Sequence, residues 1–173
     1  MNDKQLVDNI VAFISFCGIE VCFETISEQT FLPGMTIRRG TLVIDTDKLK
    51  YPGDLLHEAG HIAVVPAAVR KNLSDNINDT VLADGSSLAD GATEMAAIAW
   101  SYAACRHLEI DPLVVFHENG YKGGAAEIAH NFNQGRYFGV PLLNWYGMTN
   151  YTSNSPVSLT DGYPKMINWL SQQ

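Results

Sequence analysis

The clearest capacity for chemistry in this chain of 173 residues lies in the run His57-Glu58-Ala59-Gly60-His61. What these residues can do depends on helical geometry. Each residue of an α-helix advances by ~100°, so positions four apart return to nearly the same face. His57 and His61 then aim two imidazoles at one point, as two ligands of a single metal ion require. Glu58 falls beside them in projection, within reach of a metal-bound water without being a ligand.

The local sequence supports such a helix. Leu55, Leu56, Ala59, Ile62 and Ala63 fall opposite the histidines and give it an apolar back. Pro52 and Gly53 interrupt the chain ahead of it, and Asp54 reads as its N-cap. Pro66 ends it, because the residue before a proline is pushed out of the α region. A chain of this composition would carry such a motif by coincidence in only about 0.7 % of cases, which favours a metal site over two histidines on an exposed helix.

A catalytic zinc needs a third protein ligand besides its water. Glu94 leads the candidates. It is the lone acid in the first turn of an alanine-rich helix read over 92–108, where an unpaired buried carboxylate would be costly and a metal would remove the cost. The competing view is a surface glutamate favoured by the helix dipole. Asp90, just ahead of the same helix, competes as ligand or as N-cap. His117 and His130 are weaker candidates, and His107 fits a dipole partner near the helix end.

The elements that must hold these residues are read as follows. An amphipathic helix over 4–16, with Leu6, Ile10, Phe13 and Ile14 on one stripe, stops at Gly18. Alternation over 19–24 marks a half-buried strand. Two short strands, 35–38 and 41–45, join through Arg39-Gly40 as a hairpin. Residues 74–91 read as a long polar loop bordering the metal site. Beyond 108 come a short apolar piece at 112–116 and a glycine-rich turn at 120–124. A helix at 125–133, an aromatic-rich stretch at 137–146 and a last helix at 164–171 follow. The expected fold is one α+β domain over residues 1–173. A small antiparallel sheet packs on the motif helix and the Glu94 helix, with further helices C-terminal.

Composition narrows the partners. A net charge of −8 argues against nucleic acid, whose phosphates need clustered Lys and Arg. No run approaches the ~20 apolar residues of a membrane helix, and the N-terminus has no signal-peptide pattern, so a cytoplasmic protein is expected. Cys17, Cys22 and Cys105 sit among apolar residues and read as buried free thiols. The oligomeric state is not legible.

The order of strand 41–45, motif helix, and second helix with Glu94 ahead of small and aromatic residues resembles the zincin metallopeptidases. A glutamate ligand on a second helix is similar to the gluzincin branch. The compact size and the pattern Glu94-x-x-Ala97-x-Ala99 look most like the small ImmA/IrrE-type peptidases and minigluzincins. The resemblance covers about residues 35–108. His-Glu-Ala-Gly-His also occurs in membrane-bound AAA proteases, whose third ligand is an aspartate, and this keeps Asp90 open.

These readings imply a zinc peptidase acting on a peptide or protein substrate. His57, His61 and Glu94 would hold Zn2+, and Glu58 would serve as general base. Asp54, Asp84 and Asp90 are candidate partners for the histidines' other ring nitrogens. Tyr102, Tyr121, Tyr137 and His117 are candidate donors to the developing oxyanion. The alternative is a zincin-fold metal-binding module with a regulatory or interaction role. An intact Glu58 favours the enzyme, whereas a closed fourth coordination position would favour the module.

Overall fold

A computed structural model describes residues 3–74, 91–151 and 162–173. The chain begins with α1 (Asp3–Phe16), which buries Ile10, Phe13 and Ile14. The chain leaves it through Gly18, whose φ of 88° suits a residue without a Cβ. Then come β1 (Val21–Phe23), β2 (Met35–Arg38), β3 (Thr41–Ile44), α2 (Asp54–Val64) and α3 (Ala67–Arg70). Among the described residues, α4 (Gly91–His107), α5 (Ala125–Asn133) and α6 (Val140–Trp145) follow, with single 3-10 turns at Pro112–Val114 and Tyr121–Gly123. The expected α+β class holds.

The sheet has the order β1-β3-β2. β2 and β3 form the expected antiparallel hairpin, Arg38 opposite Thr41, across Arg39 (φ 53°) and Gly40 (φ 75°). Two successive left-handed residues are the signature of a type I′ turn. The expectation of a wholly antiparallel sheet fails at β1, which pairs parallel to β3 in the register Val21 with Leu42. Being an edge strand, β1 also shows little of the expected alternation. Cys22 and Phe23 are both exposed, so Cys22 is not a buried thiol. Cys17 and Cys105 are buried, and burial pushes both thiols up to about 12.

The core gathers around α2 and α4, which pack mainly on each other. Leu55, Leu56, Ala59, Ile62 and Ala63 of α2 are fully buried, as the apolar stripe requires. α4 is buried on nearly every side from Ala96 to Cys105, because its small residues let neighbours approach the backbone. Gly60 makes the closest approach possible. A Cβ there would lie 2.9 Å from the Ala97 carbonyl oxygen. Ser101 Oγ donates to Ala97 O at 2.7 Å and lies 3.3 Å from Leu56 O, tying the two helices together.

Pro66 ends α2 as expected, with Val65 already extended. Three carbonyls at the end of the helix find partners outside it. Arg70 donates through Nε to Ile62 O and through its guanidinium NH2 to Val65 O, both at 3.1 Å, and Ser171 N donates to Ala63 O at 2.8 Å.

The expected helix at 164–171 is absent. Its backbone donors are spent on distant partners: Ile167 N on Met148 O and Ser171 N on Ala63 O. Trp169 turns inward instead, stacking edge-on against Trp100 while its carbonyl accepts from Trp100 Nε1 at 3.0 Å. The expected loop at 74–91 falls almost wholly outside the described residues, and Asp84 and Asp90 lie there too. Among the described residues no helix is long and apolar enough to cross a membrane.

Candidate metal centre

The start of α2 sets the geometry. Asp54 does not cap the helix. The N-cap position is Gly53, with no side-chain hydrogen bond, and Asp54 is the first helical residue. A Cβ on Gly53 would lie 2.0 Å from Val114 O, so the glycine lets the 112–114 turn press against the start of α2. The Asp54 carboxylate, free of capping, meets His117 Nε2 at 2.9 Å across 63 positions of sequence. Burial raises the Asp54 pKa, and the hydrogen bond and charge of His117 work against that rise.

One turn along, the imidazoles of His57 and His61 converge with their Nε2 atoms 3.1 Å apart. Glu94, carried on the first turn of α4, meets both. Its Oε1 lies 3.6 Å from His57 Nε2 and its Oε2 lies 3.2 Å from His61 Nε2. The Glu94 side chain is 47 % exposed, so its carboxylate opens toward the cleft while the imidazoles lie deeper. The three residues form a group that could hold a metal ion.

The fit can be tested on distances. Donors ~2.0–2.2 Å from a tetrahedral ion stand ~3.3–3.6 Å from one another; with the nearer Glu94 oxygen taken for each histidine, the His57–Glu94 separation lies in that range and the other two fall just short of it. The charges agree. Burial, then the neighbouring His61, holds the His57 pKa down to about 3, so this imidazole stays neutral as a ligand must be. Around His61 burial pulls downward, but the Glu94 hydrogen bond and the charges of Glu58 and Glu94 outweigh it, and the net direction is upward. The Glu94 and Glu58 carboxylates thus draw positive charge to the histidines, which a divalent cation would supply.

The site opens into a cleft of about 1050 Å³. Glu58, beside the histidines as the projection requires, lines it. Phe31, Leu32, Met35 and Ile128 give it an apolar flank, and sequence reasoning did not single them out. They differ in exposure, Phe31 being 90 % exposed and Met35 buried, and no local pattern in the sequence joins them.

The remaining candidates separate clearly. Tyr121 reaches the centre, its hydroxyl 3.0 Å from His57 Nδ1. Burial, then the charges of Glu94, Asp54 and Glu58, pushes its pKa upward, so the phenol stays protonated. Tyr102 instead donates to Asn133 Oδ1, and Tyr137 packs on Tyr163. His117 is committed to Asp54. His107 packs on Phe13 and Trp169, and His130 is an exposed residue of α5, so neither joins the group. Comparison of the chain with protein-family models, with curated proteins and with solved structures gives no match.

Proposed function

We propose that this protein is a zinc-dependent metallopeptidase of the gluzincin kind. The observation that carries the reading is the convergence of His57, His61 and Glu94 on one point, with Glu58 beside them on the wall of an open cleft. His57, His61 and Glu94 would hold the ion. Bound zinc supplies Lewis acidity and lowers the pKa of its water to ~7.

The rest falls to the chain's own residues. Glu58 takes the proton from the attacking water and later delivers it to the leaving amine. Its place one residue after His57 keeps it beside the ligands without making it one. The cleft is large enough for a stretch of extended peptide, and its apolar flank can exclude water around the scissile bond.

Metal analysis of the zinc-loaded protein should give one zinc per chain. Glu58→Gln should keep that zinc and the fold, yet lose peptide hydrolysis by ~10²–10⁴-fold, the usual weight of a general base. A wild type that holds no zinc overturns the whole reading. Equal trace hydrolysis by wild type and Glu58→Gln across a broad peptide library, with zinc retained, would instead favour a metal-binding module.

A further inference from the structure

The two imidazoles of the centre differ at their far nitrogens. His61 Nδ1 is buried and has no hydrogen-bond partner among the described residues. His57 Nδ1 faces the hydroxyl of Tyr121 at 3.0 Å, and the two rings meet edge to face with centroids 5.5 Å apart. An imidazole that binds metal through Nε2 carries its proton on Nδ1, and an acceptor there fixes both tautomer and ring orientation.

The segment that presents Tyr121 is costly to build. Tyr121 (φ 54°), Lys122 (φ 52°) and Gly123 (φ 84°) are three consecutive left-handed residues, two of them with a Cβ. Such a conformation persists only where its surroundings over-determine it. Here they do. Asp54 grips His117, Tyr51 stacks on His117 with ring centroids 4.1 Å apart, and Phe116 packs against the Tyr121 ring. His117 is thus fastened to the first turn of α2 by Asp54 and to the residues just ahead of that helix by Tyr51, Phe116 braces the Tyr121 ring within the segment, and the Tyr121 hydroxyl is what this bracing delivers to His57.

We infer that Tyr121 is a positioning residue for the metal centre: its hydroxyl oxygen accepts from His57 Nδ1–H and holds the tautomer whose Nε2 is free to bind. This differs from a donor to the substrate's carbonyl oxygen, because the hydroxyl acts through the ligand. The inference rests on the metal-binding part of the proposed function and not on hydrolysis.

Tyr121→Phe keeps the ring and deletes the hydroxyl. Nitrogen-15 NMR of the metal-free wild type should show His57 as the Nδ1-protonated tautomer, and the Phe variant should lose that preference. Competition between a chelator and the protein for zinc should show affinity ~10–100-fold weaker in Tyr121→Phe, the usual weight of such a partner. Thermal unfolding of the metal-free variant checks that the fold is kept.

A wild-type His57 protonated on Nε2 overturns the inference, whatever the variant does. Unchanged zinc affinity in Tyr121→Phe also overturns it, as does weakened affinity with an unchanged tautomer, which would trace the loss to packing. If the wild type holds no zinc, the metal reading fails separately. The metal-free tautomer then still decides whether Tyr121 orders His57.

Discussion

On one side of the cleft, α2 and α4 run as regular helices and supply His57, Glu58, His61 and Glu94. On the other, the segment from 112 to 124 makes two 3-10 turns and a left-handed run, and supplies Asn119, Gly120, Tyr121 and Lys122. The helical side derives its precision from burial and close backbone contact. The irregular side derives it from a few specific contacts, chiefly Asp54 to His117 and Tyr121 to His57. The helical side therefore holds the groups that would touch metal and water, and the irregular side tunes one of them.

The largest effects should come from removing ligands on the helical side. His61→Ala should abolish stoichiometric zinc, measured by metal analysis after dialysis. Glu94→Ala should weaken zinc binding by more than the ~10–100-fold expected for loss of a partner behind a ligand. Wild-type affinity in Glu94→Ala would remove α4 from the site and return the third ligand to Asp90.

A smaller effect should follow from disturbing how the two helices meet. Gly60→Ala gains ~1 kcal/mol of helix propensity, but its methyl must push the Ala97 backbone, and overpacking typically costs ~1–3 kcal/mol. A net loss of up to ~2 kcal/mol in urea unfolding is expected, with weaker zinc binding because Glu94 rides on the displaced helix. A gain in stability would show that α2 and α4 have room to spare.

The smallest effect should come from the irregular side. Lys122→Gly relieves a left-handed residue but loosens the unfolded chain, and these oppose each other to within ~1 kcal/mol. Zinc affinity should stay within about twofold of wild type, since Tyr121 is untouched. A loss as large as that of Tyr121→Phe would erase the contrast between the hydroxyl and the loop that carries it.

The same contrast explains what could be read in the sequence. α2 was legible because its apolar stripe, Pro52-Gly53 and Pro66 all act within a few residues of the helix. α4 was legible because a run of alanines has few other uses. Glu94 stood out as one acid in an apolar turn, and the structure brings it to the histidines. Asp54 reads as a cap in the sequence because its real partner, His117, lies 63 positions away. The glycines flanking Tyr121 announced a turn, but not which nitrogen its hydroxyl would face. Met166, Trp169 and Leu170 have helical spacing, yet the backbone around them bonds to remote segments, which periodicity does not register. The parallel pairing of β1 with β3 is not legible in the sequence because the excursion through β2 that produces it leaves no local mark.

The closure of α2 by Arg70 and Ser171 has a consequence for the order of folding. An isolated helix needs ~12–15 residues to hold in water, and this one has 11. Its last turn is completed partly by Ser171, while α4 is tied through Trp100 to Trp169, 69 positions further on. Contacts this distant must bring their ends together before they contribute anything, which places them late in folding. The helix that carries the motif easiest to find in the sequence is thus completed by some of the most distant contacts among the described residues.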